Sequence, residues 1–303
     1  MTAALADATD PGPTRLPEWI RVPLPSGQYP AVRSTLEELR LTTVCREARC
    51  PNKTECWSAG TATFMLLGAD CSRRCAFCAV TTHWSNGQID ATEPARVAEG
   101  VARWGLRYAV LTQVCRDDLS DGGASVLAET VRRLRETSPG TRVELLIGDL
   151  AHDRTALASL LRDPPDVLAH NLETVRRLSP SVRDRRASYD GSLELLRRAR
   201  ELGPRHLVTK SSLMLGLGET EAELRESFDD LRDAGVDLLT LGQYLRPTAD
   251  HVPVSAYPRP EEFLRLRGIA LEAGFSGVEA GPLVRSSYHA EELFLRARAD
   301  RGA

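Results

Sequence analysis

Seven cysteines carry the chemistry open to this chain, and they stand at Cys45, Cys50, Cys56, Cys71, Cys75, Cys78 and Cys115. Six of the seven fall within 34 residues, in two groups of three. An odd count at such tight spacing is not a disulfide framework, and a chain of 303 residues does not need one. Cys71-Ser-Arg-Arg-Cys75-Ala-Phe-Cys78 is a C-x3-C-x2-C triad. Three thiolates on one loop can bind three irons of a cubane and leave the fourth iron open to a small chelating molecule, and soft thiolates favour iron–sulfur clusters. A structural zinc knuckle would pair C-x2-C with a second short ligand pair, and here only His83 is at hand as a donor. The other triad, Cys45-Arg-Glu-Ala-Arg-Cys50-Pro-Asn-Lys-Thr-Glu-Cys56, is C-x4-C-x5-C and also stops at three. Its fourth ligand would be Cys115, the remaining thiol, or else an oxygen donor. A zinc site or a labile surface cysteine group is the competing reading.

The elements that must position these thiols follow a rhythm from about residue 61. Thr61-Ala-Thr-Phe-Met-Leu-Leu is an apolar run of strand length, ending at Gly68-Ala-Asp-Cys71. Strands are expected over Arg107–Thr112, Arg142–Ile147, Asp166–Ala169, Leu207–Leu215, Asp237–Leu241 and near Val278, alternating with helices. The helices are expected over Glu93–Trp104, Gly123–Arg135, Arg154–Leu161, Ser192–Leu202, Glu219–Ala234 and Pro260–Ala273, where apolar residues recur at helical spacing. Such alternation implies right-handed parallel units and a partial or complete (β/α) barrel of the TIM type. An open doubly wound sheet competes, but no Gly-x-Gly-x-x-Gly follows the first strand. A barrel places active residues after the C-terminal ends of its strands. The polar clusters stand there: Cys71–Cys78, Arg116-Asp-Asp, His170-Asn-Leu-Glu, Gly216-Leu-Gly-Glu-Thr220 and Gln243-Tyr. The first forty residues, rich in Pro and Thr, read as an extended arm with no core of its own.

Composition excludes several classes. Apolar residues make up 42% and charged residues 27%, which is globular usage and not that of a disordered chain. The formal charge of -3 leaves no basic surplus to follow a phosphate backbone, so no nucleic-acid partner is expected. No apolar run approaches the ~18 residues of a membrane span, and Met1 to Gly27 lacks the apolar stretch of a secretory signal. A cytoplasmic protein without a membrane partner is expected.

The C-x3-C-x2-C triad at the end of a first barrel strand, with Phe77 before its last Cys, resembles the radical S-adenosylmethionine (SAM) superfamily. Both triads in this order resemble the lipoyl synthases. The resemblance runs from about Thr42 to Ala290 and includes Arg116-Asp-Asp-Leu-Ser-Asp-Gly-Gly123, His170-Asn-Leu-Glu-Thr-Val, Thr209-Lys-Ser-Ser-Leu-Met-Leu-Gly-Leu-Gly-Glu-Thr220, Gly242-Gln-Tyr-Leu-Arg-Pro-Thr and Gly281-Pro-Leu-Val-Arg-Ser-Ser-Tyr-His-Ala290. It implies two 4Fe–4S clusters. Cys71, Cys75 and Cys78 would hold the one that binds SAM, and Phe77 would pack beside the adenine. Cys45, Cys50 and Cys56 would hold an auxiliary cluster, completed by Ser287 of the Arg-Ser-Ser-Tyr motif. Taken alone, Ser286 and Ser287 would read as a helix N-cap before His289-Ala-Glu-Glu.

The implied reaction inserts two sulfur atoms, at C6 and C8 of a protein-bound octanoyl-lysine. A 5′-deoxyadenosyl radical removes hydrogen from each carbon in turn, one SAM per carbon, and the auxiliary cluster is the sulfur donor. The implied partners are octanoylated lipoyl-carrier domains (E2 subunits and the glycine cleavage H protein), a flavodoxin- or ferredoxin-type electron donor, and an iron–sulfur carrier that rebuilds the spent cluster. The organisation implied is an N-terminal arm with the auxiliary motif over 1–60, a radical SAM barrel over 61–280 and a C-terminal tail over 281–303.

Further candidates follow from position. Asn171 and Glu173 could bind the ribose or ammonium of SAM, the carboxylate by a charge-assisted bond, with helix capping the competing role for Asn171. Lys210 falls in a strand that should be buried and so needs a partner or a ligand. Arg285 is placed to steer the carboxyl end of the arm. Asp117 and Asp118 would anchor a loop or cap a helix. Three segments depart from the family pattern: Thr82-His-Trp-Ser-Asn-Gly87 in place of Gly-(Arg or Lys)-Pro, Thr112-Gln-Val-Cys115 in place of Thr-Ser-Val-(Asp or Asn), and Ile147-Gly-Asp-Leu in place of Ile-Pro-Asp-Phe. As barrel-mouth loops they raise a second reading, a paralogue that thiolates a different acyl chain. Cys115 itself would be a packed strand-end thiol or an extra cluster ligand.

Overall fold

A computed structural model describes residues 16–301, so Asp10-Pro-Gly-Pro-Thr of the expected arm lies outside the described residues. The chain opens with α1 (Tyr29–Glu38), α2 (Val44–Glu47) and α3 (Lys53–Ser58), followed by β1 (Thr63–Leu66). Among the described residues, the two-residue strands β2 (Asp70–Cys71) and β3 (Thr81–Thr82) pair only with each other. Alternation then sets in: α4 (Glu93–Trp104), β4 (Tyr108–Gln113), α5 (Ala124–Thr137), β5 (Arg142–Leu146), a short 3-10 turn at Leu150–His152, α6 (Arg154–Leu160) and β6 (Val167–Ala169). After α7 (Ser179–Val182) come α8 (Tyr189–Leu202), β7 (Val208–Leu215), α9 (Glu221–Asp233), β8 (Leu238–Gln243), α10 (Pro260–Glu272), β9 (Gly277–Gly281) and α11 (Ala290–Arg301).

Seven strands form one parallel sheet in the order β1-β4-β5-β6-β7-β8-β9, with β1 and β9 as its edges. This is a TIM-type α/β barrel of the partly closed kind. Every residue of β1 and of β8 is buried, as strands covered on both faces require. The helices carry local signals that agree with their ends. Pro94 stands in the first turn of α4, and Gly105 closes it at φ +58°. Thr220 and Glu223 form a reciprocal capping box at α9.

The extended arm is corrected over residues 29–38, which form a helix. Val32 and Leu36 recur one turn apart and both bury in the core beside Leu39 and Leu41. The tail is also more than an appendage. Leu293, Phe294 and Ala297 of α11 pack with Tyr108, Val110, Val167, Val208 and Leu238. Four of those five open their strands, so α11 plugs the N-terminal end of the barrel and leaves the C-terminal end as its mouth.

Candidate cluster and cofactor sites

Cys71 ends β2, and Cys75 and Cys78 follow on the loop that leads to β3. Ala76 N–H donates to Val182 O (2.9 Å), Val252 N–H to Ala76 O (3.0 Å), and His251 Nε2 lies 3.1 Å from Cys78 O. The residues between the thiols do the anchoring. Arg73, 4% exposed at its side chain, makes two-pronged bonds to Asp149 (2.6 and 2.7 Å) and to Asp117 (2.6 and 3.0 Å). Ser72 Oγ adds a 2.5 Å bond to Asp117. Arg186 donates to Ser72 O and to Asp184, whose N–H in turn donates to Cys75 Sγ at 3.3 Å. Asp118 pairs with Arg116, both 2% exposed, and accepts from Gly87 N–H. Both aspartates are therefore loop anchors.

All seven cysteines are free thiols. Burial pushes Cys75 up to about 11 and Cys78 to about 12. A hydrogen bond from the Cys115 thiol brings Cys71 down to about 6 and drives Cys115 the other way. Cys115 therefore sits beside the first triad, not the second. Its carbonyl accepts from Ser72 N–H (2.9 Å), which ties β4 to the cysteine loop.

The second triad is carried by α2 and α3, which fold against β1: Thr43 bridges Phe64, and Met65 N–H donates to Thr42 O. Cys45 is pushed up to about 11 by burial and Cys56 to about 12, the latter raised further by Cys45 and Cys50 close by. The tail after β9 crosses this group. Asn52 Nδ2 donates to Leu283 O (2.6 Å), and Tyr288 hydroxyl to Glu55 (2.8 Å). Ser287 Oγ accepts from Thr63 Oγ1 at 2.9 Å. Arg285 is half-buried beside Cys50, bonds only backbone carbonyls, and has no carboxylate partner among the described residues.

One step of the same tail reaches the first triad. Ser286 Oγ donates to Asn171 Oδ1 (3.1 Å), and the Asn171 side chain hydrogen-bonds Glu173. Glu173 follows β6 at φ +69°, a strained backbone for a residue with a side chain. Its carboxyl is raised by burial and near enough to Cys75 and Cys78 to raise both thiols. Phe77 packs on the cluster of Val182, Leu217 and Tyr244. Lys210 is not brought to this group. Its Nζ bonds Glu144 at 2.8 Å, both side chains fully buried, and Tyr108 hydroxyl completes the trio at 2.7 Å to Glu144. The partner that burial demanded is a carboxylate low in the barrel, not a cofactor at its mouth.

Residues 65–231 match the radical SAM superfamily, and residues 7–50 match the N-terminal domain of lipoyl synthase of that superfamily. The lipoyl synthase of Thermus thermophilus is 55% identical over 282 residues, which cover 93% of this chain and 87% of that one. The lipoyl synthase of Symbiobacterium thermophilum is 54% identical over 289 residues, covering 95% and 89%. This chain belongs to the lipoyl synthase family. Lipoyl synthases are radical SAM enzymes of the sulfur-insertion type, and SAM and 4Fe–4S clusters are this chain's cofactors. Among solved structures, methylornithine synthase (PylB) aligns with a TM-score of 0.54 at 13% identity, covering 91% of this chain and 93% of that one. The FeFe-hydrogenase maturase HydG from Carboxydothermus hydrogenoformans aligns at 0.53 and 17%, covering 79% and 66%. These two share the fold.

The residues present fit the family's cofactors. No three His, Cys, Asp or Glu side chains among the described residues gather closely enough to hold a single metal ion. A cubane takes three thiols set wider apart, because each binds its own iron. A half-buried guanidinium without a carboxylate partner beside Cys50 suits an anionic cluster, as a desolvated and unpaired charge is otherwise costly. A half-buried carboxyl without a directly bonded cation beside Cys75 and Cys78 suits the ammonium of SAM.

Sequence reasoning missed Arg73, Asp149, Asp184 and Thr63. An arginine locked between two candidate ligands was the available signal for Arg73. The others are placed by the fold from 76, 110 and 224 residues away from their partners Arg73, Arg74 and Ser287.

Proposed function

We propose that Cys71, Cys75 and Cys78 hold the cluster that binds SAM, and that Cys45, Cys50, Cys56 and Ser287 hold an auxiliary cluster. The substrate is a protein-bound octanoyl chain, which receives sulfur at C6 and C8. The observation that carries this reading is the run Arg285-Ser286-Ser287. Three consecutive residues reach Cys50, the Asn171–Glu173 pair and Thr63 in turn, so one strip of backbone spans both thiol groups. A radical formed at one site and a sulfur atom held at the other must meet on one acyl chain, and a shared strip keeps the two at a fixed spacing.

When bound, the cofactors supply a deoxyadenosyl radical that removes hydrogen from the acyl carbon, and the sulfide that replaces it. The protein's part is placement. Glu173 and Asn171 receive the ammonium and ribose of SAM, and the Ser286 bond fixes the Asn171 amide so that its NH2 faces Glu173. Phe77 lends an apolar face for the adenine. Arg73, with Asp117 and Asp149, holds the cysteine loop rigid while its cluster is reduced. Arg285 offsets negative charge at the auxiliary site. Ser287 is a harder and weaker donor to iron than a thiolate, which suits a ligand that must leave when the cluster gives up sulfur.

Octanoylated E2 domains and the glycine cleavage H protein are the proposed carriers. A flavodoxin- or ferredoxin-type donor supplies electrons, and an iron–sulfur carrier rebuilds the auxiliary cluster. No helix among the described residues is long and apolar enough to cross a membrane, and a reducing cytoplasm would keep these thiols free. The departures at Gln113, Cys115 and Gly148 pack on one another. A Cβ at Gly148 would stand 3.0 Å from Cys115 Sγ and 3.1 Å from Gln113 Nε2. They form one patch behind the cysteine loop, beside Arg73 and Asp149, which favours support of the cluster over choice of a different acyl chain. The test of the ligand assignment is Ser287→Ala. The reading expects one cluster to stay intact and the other to lose iron, measured by Mössbauer spectroscopy; two intact clusters would refute it.

A further inference from the structure

We propose that Thr63 is a positioning residue of the auxiliary site, which sets how readily Ser287 leaves its iron. The inference rests on Ser287 being the oxygen ligand of that site.

Thr63 opens β1 and is 7% exposed. It faces two of the proposed ligands at once. Its hydroxyl donates to Ser287 Oγ at 2.9 Å, across 224 residues of sequence. Its backbone N–H lies close enough to the Cys45 thiol to pull it down against the burial that raises it. Neither the Thr63 nor the Ser287 hydroxyl has a second partner among the described residues. A β-branched side chain on a strand has little freedom at χ1, so the sheet itself aims the Thr63 oxygen. The β4 register (Thr63 opposite Val110) and the Thr43 bridge to the next residue, Phe64, hold the strand on both sides.

That geometry has a chemical direction. A serine oxygen bound to iron carries negative charge, and a hydrogen bond to an ionised acceptor is about twice as strong as a neutral one. Donation from Thr63 draws electron density off the Ser287 oxygen and weakens its hold on iron. Once the iron has gone, the same hydroxyl keeps the half-buried, released oxygen from standing unpaired, which would be the costlier state. Groups behind a first ligand commonly change metal affinity by roughly 10–100-fold.

The test uses the full-length holoenzyme without SAM and follows iron taken by a ferrous chelator under anaerobic conditions. The auxiliary phase is identified as the one that Ser287→Ala abolishes or accelerates. Thr63→Val keeps the volume, the β-branch and the N–H but removes the hydroxyl. It is expected to slow the auxiliary phase about tenfold and leave the other phase within about twofold. Thr63→Ser should restore the wild-type rate. A residue that merely props Ser287 in place would give the opposite sign, because its loss would speed iron release. An unchanged or faster auxiliary phase therefore overturns the proposal. If Thr63→Val does not load iron, Thr63→Ala, which also lacks the hydroxyl, must itself slow the phase; a wild-type rate there overturns it equally. If Ser287→Ala keeps wild-type iron content and release, the ligand assignment fails and this proposal with it. If Ser287→Ala loses iron while Thr63→Val behaves as wild type, only the role of Thr63 falls.

Discussion

Lys210→Met separates a structural role from a cofactor role for the one lysine buried in the barrel. Lys210 and Glu144 are fully buried and 2.8 Å apart, and Tyr108 hydroxyl donates to the second Glu144 oxygen at 2.7 Å. Removing the ammonium leaves a carboxylate with only the phenol to solvate it. Breaking a buried pair in this way costs about 3–5 kcal/mol. Unfolding entropy is about 2 cal/mol/K per residue, or roughly 0.6 kcal/mol per degree for this chain, so the melting midpoint should fall by about 5–8 °C. The double variant Lys210→Met/Glu144→Leu leaves no buried charge at this point of the barrel and should recover most of that loss, though the Tyr108 hydroxyl then lacks its acceptor. Differential scanning calorimetry of matched holoproteins reads the midpoints, and equilibrium dialysis reads SAM affinity, which should stay within about twofold once folding is complete. A Lys210→Met protein with a wild-type midpoint and a SAM Kd raised tenfold or more would refute the structural assignment.

Three further variants probe other contacts of the fold. Arg73→Lys keeps the charge but loses the planar fork that binds Asp117 and Asp149 together. It should cost about 2–3 kcal/mol and lower iron at the SAM-binding site more than at the auxiliary site, as counted by Mössbauer spectroscopy; equal losses would contradict the loop-anchor role. The Arg116 guanidinium holds the Asp118 carboxyl down at about 2. Its folded value lies below the unfolded one, so the stabilisation is present above about pH 4 and is lost as pH falls from there toward 2. The urea midpoint should therefore drop less between pH 5 and pH 3 in Asp118→Asn than in the wild type, and equal drops would exclude the contribution. At Gly122 the backbone sits at φ +59°, and an added Cβ would meet the Leu150 backbone at 2.7 Å. Gly122→Ala should cost about 2–4 kcal/mol in denaturant titration, against about 0.5 kcal/mol or less for Gly140→Ala, which meets nothing within 4 Å.

Much of this architecture was legible because alternating apolar runs and helical periodicities repeat without a break from β1 to β9. The expected helix over Glu93–Trp104 coincides with α4, and the other barrel elements agree to within a few residues. The N-terminal helix was hidden by composition. Prolines and threonines suggested an extended arm, while Val32 and Leu36 marked a buried helical face that two residues alone hardly announce. The two thiol groups could be read from spacing because each triad is local. Their supports could not, because Arg73 meets Asp149 and Ser287 meets Thr63 only after the strands have curved into a barrel. Lys210 shows the limit from the other side: burial was legible from its strand, but the identity of the partner depended on which residue of β5 lies across the barrel interior. In the expected tail over 281–303 the apolar spacing of Leu293, Phe294 and Ala297 is short, and their role as a plug exists only once the strand starts come together.

The most direct test of the central claim is mass spectrometry of an octanoyl-lysyl peptide incubated anaerobically with the two-cluster protein, SAM and a strong reductant. The account predicts a product that has gained two sulfurs and lost two hydrogens, or its singly thiolated intermediate, with one deoxyadenosine for each sulfur inserted. Deoxyadenosine with an unmodified peptide would move the chain to a different acyl substrate. Neither product, from protein shown to hold both clusters, would contradict the account.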